Sequence, residues 1–413
     1  AVTITQPAQA LQATLISQTN VTCHAASTGS ATMSATGGNA PYTFSWNTTP
    51  VQTSAIATNL GVGTWICMVS DGTGCTTPET VTITQPSAPL ALTGNVTAAT
   101  CGGAADGAVD ASVSGGTSPY TISWTGPDGS TATTVDIDDI QAGVYTLSVT
   151  DAQGCSATRN FDVGQPGLFT ITGTTSDHNG FEVSCAGSND GTVSQTVNGG
   201  TLPYSHAWSG PGSFVANTMD ITGAEPGTYT YVVTDDNGCS SSAEYELNAP
   251  PAILAAPTSP TVAGGWNLTC NGAADGSIAM AVSGGVAPID VVWNGPNAFQ
   301  ATTLNIGSLV AGTYIAQLTD ANDCVVNASI TLTRPAAITA NNTLVDDVAC
   351  FGGETGIAQV VAAGGTAPYT YQWNTTPGQN TANAVGLPVG TWTCTISDAN
   401  GCSFDSAIDV TGP

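Results

Sequence analysis

The chain contains no lysine, and two arginines, Arg159 and Arg334, stand against 29 acidic residues. The formal net charge is −27 at pH 7. Such a chain cannot neutralise phosphate groups, which excludes nucleic acid and anionic membrane surfaces as direct partners. The absence of lysine also excludes a Lys–Asn isopeptide bond and leaves trypsin-like proteases almost nowhere to cut. Covalent bracing therefore has to come from cysteine.

Long apolar runs and helical periodicity are lacking as well. No stretch approaches the roughly 20 apolar residues that a membrane-spanning helix requires. The first residues, AVTITQP, have the pattern of a strand and not of a signal peptide. We therefore expect a segment of a longer exported protein, in which residues 1–7 are the last strand of a preceding module. The alternation of strand and turn signals must then account for the fold.

The chain does contain one sequence segment that recurs. GVYTLSVTDAQGC, at Gly143–Cys155, is an alternating strand that enters from a glycine and ends in an Asp-x-x-Gly turn and a cysteine. Its other copies are Gly63–Cys75, Gly227–Cys239, Gly312–Cys324 and Gly390–Cys402. Five copies predict five modules of roughly 80 residues each, the signature of a repeat protein. The predicted modules are 8–86, 87–166, 167–250, 251–335 and 336–413, separated by short X-Pro linkers that should be semi-rigid.

Each module shows six or seven short strands with turn signals about every 8–12 residues, which is typical of a β-sandwich with Greek-key connections. Tyr145 and Tyr314 stand where a tyrosine corner would lie, with Trp65 and Trp392 in their place in the first and last modules. A tryptophan holds the position of the buried residue on the third strand in every module: Trp46, Trp124, Trp208, Trp293 and Trp373. We predict an all-β tandem array of five immunoglobulin-like sandwiches.

The last module restarts a longer period. Cys350, Cys394 and Cys402 stand at the same spacing as Cys23, Cys67 and Cys75. These two modules also share the sequence WNTTP. A super-repeat of four modules therefore begins again at the fifth.

Twelve cysteines at regular spacing predict an oxidising, extracellular compartment. The first and last cysteine of each module are a nearly constant distance apart, which predicts one intramodule disulfide per module. Each would contribute about 4 kcal/mol in the chain-entropy model, which matters for a core this small. The predicted pairs are Cys23–Cys75, Cys101–Cys155, Cys185–Cys239, Cys270–Cys324 and Cys350–Cys402.

Cys67 and Cys394 are left over from this scheme and occupy the inward position that Leu147 holds in the second module. A buried free thiol, acting as a small apolar side chain, is the first interpretation. A bridge to another module or chain is the second.

Catalytic and cofactor chemistry finds little support. The three histidines, His24, His178 and His206, do not recur between modules, so no repeated nucleophile–base set is present. We expect no enzyme, no cofactor and no metal site.

The aspartates of the D-G and D-x-x-G turns should cap their own backbone. Calcium is the alternative, with a local cluster at Asp136, Asp138 and Asp139. Thr28 and Thr355 replace the D-G aspartate in the outer modules, which argues against a shared calcium site.

The modules resemble the SprB repeat in four motifs: C-x-G-x-x-D-G, S-G-G-x-x-P-Y-x-x-x-W, A-G-x-Y-x-x-x-V-T-D-x-x-G-C and a closing Q-P. This is the unit of very large surface adhesins of gliding bacteria. The resemblance implies export by the type IX route, display as cell-surface filaments, and a role in adhesion and gliding motility. The partners it implies are neighbouring modules of the same long chain.

The sequence thus predicts a stiff extracellular filament or stalk. The alternative is a subunit of a self-assembling filament or sheath, joined by strand addition. A glycan-binding array is a third possibility, which repeated exposed aromatic residues would favour.

Overall fold

The computed structural model describes residues 6–413. The strand predicted at residues 1–7 falls mainly on residues 1–5, which lie outside the described ones. Within residues 6–413 all regular structure is β-sheet, apart from three short 3-10 helices at Pro211–Ser213, Ala263–Gly265 and Pro296–Ala298.

The strands fall into five consecutive groups, one for each repeat of the sequence. The first group is β1 Gln12–Thr19, β2 Gly29–Thr36, β3 Thr43–Trp46, β4 Ile56–Leu60, β5 Gly63–Ser70 and β6 Thr76–Ile83. The second is β7 Ala91–Thr97, β8 Gly107–Ser114, β9 Tyr120–Thr125, β10 Thr131–Ala132, β11 Ile137–Ile140, β12 Gly143–Asp151 and β13 Ser156–Val163. The third is β14 Thr170–Thr175, β15 Gly191–Asn198, β16 Ser205–Gly210, β17 Phe214–Ala216, β18 Ile221–Ala224, β19 Gly227–Thr234 and β20 Ser240–Leu247.

The last two groups follow the same plan. The fourth is β21 Leu254–Thr258, β22 Gly276–Ser283, β23 Asp290–Gly295, β24 Phe299–Ala301, β25 Ile306–Leu309, β26 Gly312–Thr319 and β27 Val325–Leu332. The fifth is β28 Thr339–Asp346, β29 Gly356–Ala363, β30 Thr370–Trp373, β31 Asn383–Leu387, β32 Gly390–Ser397 and β33 Ser403–Val410.

Each repeat forms two antiparallel sheets with the same topology. In the second repeat one sheet has the order β7-β8-β11 and the other the order β10-β9-β12-β13. In the first repeat the orders are β1-β2-β4 and β3-β5-β6. The second of these sheets has three strands, because the described part of this repeat has no counterpart of the short edge strand β10. The predicted sandwich architecture, with six or seven strands in each repeat, is confirmed.

The alternation of β12 explains how one repeat makes its core. Tyr145, Leu147 and Val149 are buried between the sheets, while the residues between them face outwards. Leu147 lies opposite Trp124 in the register of β12 with β9. All five tryptophans of this set are at most 2% exposed. In each the indole N–H finds a backbone carbonyl, such as Thr134 O for Trp124 at 3.1 Å, which satisfies its polar atom inside the core.

The corner before β12 has the tyrosine hydrogen bond that the sequence predicts. Tyr145 donates its hydroxyl proton to the carbonyl oxygen of Gln141, four residues earlier, at 3.0 Å. In the first repeat Trp65 makes the equivalent bond through its indole nitrogen, to Gly61 O at 3.0 Å. Trp392 does the same in the last repeat, to Pro388 O. Tryptophan therefore replaces tyrosine at this corner without loss of the hydrogen bond.

The chain divides into two compact units, and the third repeat contributes to both. The first unit comprises the described residues up to Thr172 together with Thr196–His206 and Val232–Ser242. The second comprises Gly173–Gln195, Ala207–Tyr231 and Ala243–Pro413. Each connection between repeats described below lies inside one of these units.

Candidate functional site: the cystine junctions between repeats

The disulfides join consecutive repeats. Each one connects the first cysteine of a repeat to the last cysteine of the next: Cys23–Cys155, Cys101–Cys239, Cys185–Cys324 and Cys270–Cys402. Their Cα–Cα distances are 5.6 to 5.7 Å, in the usual range for a disulfide. The prediction of one intramodule disulfide per module is wrong, and so are its five pairs: Cys23–Cys75, Cys101–Cys155, Cys185–Cys239, Cys270–Cys324 and Cys350–Cys402.

The two cysteines of one repeat cannot reach each other because they lie at opposite ends of the sandwich. In the first repeat Cys75 comes directly before β6, whereas the loop that carries Cys23 lies beside the end of β6. There the N–H of Val21 donates to Thr84 O at 2.9 Å. The eight residues of β6 separate the two ends by about 25 Å, and a disulfide spans less than about 7 Å between Cα atoms.

The last cysteine of each repeat is held by a turn that a buried aspartate organises. Asp151 Oδ1 accepts the N–H groups of Gln153 at 2.9 Å and Cys155 at 2.8 Å. Its Oδ2 accepts the N–H of Thr117, which lies on a different loop, at 2.9 Å. The same three-donor arrangement recurs at Asp71, Asp235, Asp320 and Asp398. The prediction that these aspartates cap their own turns is confirmed, and they also tie the turn to a neighbouring loop.

The Gly-Gly pair of the repeat makes room for this carboxylate. At Gly116, where φ is +62°, a Cβ atom would lie 2.8 Å from Asp151 Oδ2. Tyr120 donates its hydroxyl proton to Gly115 O at 2.6 Å and fixes the same loop. The G-G-x-x-P-Y motif therefore serves to position the cysteine turn, a role that the sequence alone did not indicate.

The first cysteine lies in a loop that a second polar side chain braces. In the second repeat Asp106 accepts the N–H of Thr100 at 3.0 Å and also the hydroxyl of that threonine. In the first repeat Thr28 Oγ1 accepts the N–H of the residue before the cysteine, at 3.1 Å. Thr355 does the same in the fifth repeat, at 3.0 Å. A threonine hydroxyl thus supplies the acceptor where the D-G aspartate is absent.

An asparagine reaches across three of the four junctions. It stands two residues after the turn aspartate, and its side-chain nitrogen donates to the carbonyl oxygen of the residue that precedes the partner cysteine. The pairs are Asn237 with Thr100 at 3.0 Å, Asn322 with Ser184 at 2.9 Å and Asn400 with Thr269 at 3.3 Å. The sequence analysis missed these residues, although asparagine recurs at this place in the last three repeats.

At two of the junctions a glutamine ties the linker to the first-cysteine loop of the same repeat. Gln85, in the first Q-P linker, accepts the N–H of Ala25 in the Cys23 loop at 2.8 Å. Gln165 accepts the N–H of Gly103 in the Cys101 loop at 2.7 Å. The cysteine loop and the linker of a repeat are therefore braced together, and both lead to the next repeat. Two covalent paths, one peptide and one disulfide, cross each junction.

Four cysteines have no disulfide partner among the described residues, and they form two pairs of opposite character. Cys67 and Cys394 are fully buried opposite Trp46 and Trp373, as the first interpretation predicted. Burial raises the pKa of both thiols, which keeps them in the less reactive protonated form. Cys75 and Cys350 are exposed.

We predict four free thiols per chain under denaturing, non-reducing conditions, counted with a thiol reagent. In the native protein only two should react quickly, because Cys67 and Cys394 are buried. Intramodule pairing would give two free thiols in denaturant and none that react in the native state. Peptide mapping of the labelled sites distinguishes the two cases.

The turn aspartate of the first repeat, Asp71, makes the stability of that repeat depend on acid. The side-chain hydroxyl of Thr73, followed by the backbone N–H of Asn39, lowers the pKa of Asp71 from 3.8 to about 2. Because the folded state holds the carboxylate form, its stabilisation is complete above pH 3.8 and is lost as the pH falls through about 2. We expect the melting temperature to fall over this window, and the fall to be smaller in Asp71→Asn. An equally steep fall in the variant would show that other groups carry the effect.

The carboxylate oxygens of the turn aspartates have little remaining capacity to bind calcium. Each turn carboxylate already accepts backbone N–H groups, and Asp136 of the local acidic cluster accepts the N–H of Ala111 at 2.9 Å. Residues 6–413 contain no group of three or more His, Cys, Asp and Glu side chains placed to hold a metal. We predict that a chelator leaves the melting temperature unchanged; a drop on chelation, reversed by added Ca²⁺, would contradict this.

The histidines do not form a reactive set. His24 lies in a turn and His178 in a bend, and half-buried His206 packs edge-on against Tyr204 with ring centroids 6.5 Å apart. Over the described part of the chain, no helix is long and apolar enough to cross a membrane.

Comparison with known proteins agrees with the repeat structure. The SprB repeat matches at residues 15–50, 93–129, 182–213, 267–298 and 342–378, once in each repeat. No curated protein matches the chain. Among solved structures it is similar to Sidekick-1 immunoglobulin domains 1–5, at 13% identity over 93% of this chain and 94% of that one, with a TM-score of 0.27. It is also similar to the N-terminal eight Ig domains of Down Syndrome Cell Adhesion Molecule isoform 1.30.30, at 12% identity over 94% and 70%, with a TM-score of 0.26. With a match in every one of its repeats, the chain carries five SprB repeats.

Proposed function

We propose that the chain is a load-bearing segment of a long bacterial cell-surface adhesin, a filament or stalk that serves adhesion and gliding motility. The observation that carries the proposal is the combination of an SprB repeat in every module with a disulfide between each pair of consecutive modules. If the disulfides served only to stabilise the fold, each could lie within one module. Disulfides between modules instead hold consecutive modules together.

The connectivity suits a chain that is pulled from its ends. The loops closed by the four disulfides overlap, because each spans 132 to 139 residues and begins before the previous one ends. A pulling force can pass through the disulfides and bypass most of the backbone between them. Even with every sandwich unfolded, the oxidised chain could extend only to about 40 nm, against about 150 nm for the reduced chain.

An extracellular location agrees with this chemistry. The disulfides require an oxidising compartment to form and persist. A surface with a net charge of −27 and no lysine resists self-association and tryptic cleavage outside the cell. The family's surface proteins support the same location, and the type IX route is the corresponding proposal for export.

A passive, non-enzymatic role is part of the proposal. The buried polar groups of the junctions are occupied by hydrogen bonds within the fold, and His206, the one histidine inside a strand, packs beside Tyr204. The alternative of strand addition depends on the segment at residues 1–7. Most of that segment lies outside the described residues, so no observation here favours it.

Two measurements test the proposal. An antiserum against the purified chain should label intact, unpermeabilised cells of the source bacterium, and in-frame deletion of the region should reduce attachment and spreading. Labelling found only inside the cells would reject the surface role.

Single-molecule pulling should reach a final extension of about 40 nm when the chain is oxidised and about 150 nm when it is reduced. Equal extensions in both states would reject the load-bearing role and leave the location unaffected.

A further inference from the structure

Two features of the super-repeat play no part in the junctions. The WNTTP segment occurs only in the first and fifth repeats, at residues 46–50 and 373–377. The same two repeats carry tryptophan at the corner where the other three carry tyrosine, namely Trp65 and Trp392. Because the two differences occur together, they indicate a local structure that the first and fifth repeats share and the middle three lack.

The middle repeats fill most of the space beside the corner aromatic residue. In the third repeat Phe214 packs edge-on against the corner Tyr229, with ring centroids 5.2 Å apart. In the fourth repeat Phe299 packs in the same way against Tyr314, at 5.4 Å. In the second repeat Ser130 stands at the place of these phenylalanines in the strand register, and it lines a cleft of only about 220 Å³.

In the fifth repeat the same region is an open cleft of about 500 Å³, a volume in the range of small-molecule sites. The sheet here has three strands, β30-β32-β33, so the WNTTP segment takes the place of the edge strand that carries the phenylalanine. Half-buried Trp392 and Pro377 provide apolar surface. Glu354, Asn374 and Thr376 line the cleft with a carboxylate, an amide and a hydroxyl group.

Hydrogen bonds hold the walls of this cleft in place. Asn374 Oδ1 accepts the N–H of Thr393 at 2.9 Å, and Thr375 Oγ1 accepts the N–H of Gln379 at 3.0 Å. The side-chain amide of Gln379 pairs with the backbone N–H and carbonyl of Val385, at 2.9 Å in both directions. Walls that are fixed before a ligand arrives reduce the entropy cost of binding it.

The first repeat has the same scaffold. Asn47 Oδ1 and Thr48 Oγ1 accept backbone N–H groups at 2.8 and 3.0 Å, and the side-chain amide of Gln52 pairs with the backbone of Thr58 at 2.9 Å in both directions. Trp65 donates to a carbonyl oxygen four residues earlier, as its counterpart in the fifth repeat does. The scaffold of the cleft therefore recurs once in each super-repeat.

We propose that this cleft binds a neutral saccharide. Because the indole N–H of Trp392 is already bonded to Pro388 O at 3.0 Å, its ring offers apolar surface, on which the apolar face of a sugar ring can pack. Asn374, Thr376 and Glu354 supply the kinds of polar group that bond to sugar hydroxyls. No basic residue is among the described residues that line the cleft, and the chain has a net charge of −27, so acidic sugars are repelled.

Repetition strengthens binding by such a site. A long chain with one cleft in each super-repeat engages several copies of a saccharide on one surface, which raises the overall affinity without any new contact. The proposal rests on the cleft alone, and it stands whether or not the disulfides between repeats bear load.

Fluorine NMR of the chain labelled with 5-fluorotryptophan tests the proposal, because each of the eight tryptophans is a separate probe. The ligands are maltotriose, cellotriose and N,N′,N″-triacetylchitotriose at millimolar concentration, with trigalacturonate as the acidic comparison. At least one neutral trisaccharide should shift the signals of Trp65 and Trp392. The signal of Trp266, a half-buried tryptophan outside the cleft, should stay in place, and trigalacturonate should shift none of the three.

The double variant Trp65→Tyr/Trp392→Tyr should bind the same trisaccharide about tenfold more weakly, measured by saturation-transfer NMR of the ligand. Tyrosine makes the corner hydrogen bond in the middle repeats, so the variant keeps the fold. Asn374→Asp keeps the oxygen that accepts the N–H of Thr393 and removes the amide donors, and it should also weaken binding. Trp266→Tyr is the matched control and should leave the affinity unchanged.

Four results would overturn the proposal. The first is the absence of a shift with every neutral trisaccharide. The second is unchanged affinity in the double variant, which would place the ligand elsewhere on the chain. The third is an equal response to trigalacturonate, which would reject the neutral class. The fourth is a response to a proline-rich peptide in place of the saccharides, which would make the cleft a peptide site. Surface display and extension under force are tested separately and are unaffected by any of these results.

Discussion

Replacing Cys270 and Cys402 together by serine should lower the free energy of unfolding of the fifth repeat by about 4 kcal/mol. When this repeat unfolds while the fourth stays folded, its chain is still tied at two points, the linker and the Cys270–Cys402 disulfide. The disulfide therefore closes a loop of about 70 residues in the unfolded state, and its loss restores that conformational entropy. The reporter is native-state hydrogen exchange of the β33 amides, since an array of repeats does not unfold in one step.

The matched control is Cys350→Ser, which should leave the exchange of β33 almost unchanged because Cys350 is unbonded. Under the intramodule scheme Cys350→Ser would destabilise the fifth repeat as much as the double variant does, because both would break a Cys350–Cys402 bond. The two variants therefore decide between the pairings by energy, without a chemical map. Destabilisation by Cys350→Ser alone would contradict the junctions described here.

Asp398→Ala should destabilise the fifth repeat by about 3 kcal/mol or more, because it leaves three backbone donors without their acceptor. The carboxylate accepts the N–H of Thr366 at 2.9 Å, of Asn400 at 2.9 Å and of Cys402 at 3.0 Å. Asp398 itself is only 7% exposed, so water cannot easily replace the lost acceptor. The same exchange measurement at β33 reports the loss.

Two further variants separate the carboxylate from its charge. Asp398→Asn keeps one acceptor oxygen and should lose less stability than alanine. Asp409→Ala removes an exposed carboxylate that accepts only a hydroxyl hydrogen bond from Thr391 at 2.6 Å, and it should change stability by less than about 1 kcal/mol. If Asp398→Ala were as mild as Asp409→Ala, the turn would not depend on its aspartate, and the junction would need another explanation.

Much of a single repeat could be predicted because its signals are local. The alternation of β12 and the tryptophan opposite Leu147 follow from which residues face inwards. The corner bond of Tyr145 spans four residues and is visible as a motif. The turn aspartates bond mainly to atoms two and four residues away, so their capping role was also within reach of the sequence.

The disulfide pairing could not be reached in the same way. Regular spacing between Cys23 and Cys75 has the same form whether each bonds within its repeat or to a neighbour, because every repeat supplies one of each kind. The functions of Gly116 and Asn237 were missed for a related reason, since their partners lie on other loops or on another repeat.

The sequence by itself determined that this chain is a series of cysteine-containing β-sandwiches with an acidic, lysine-free surface, because alternation, composition and repetition are properties of residues near one another in the chain. The tertiary structure decided where the cysteines meet. Strands of eight residues carry the two cysteines of one repeat to opposite ends of its sandwich, and the sulfur that comes within bonding distance belongs to the next repeat.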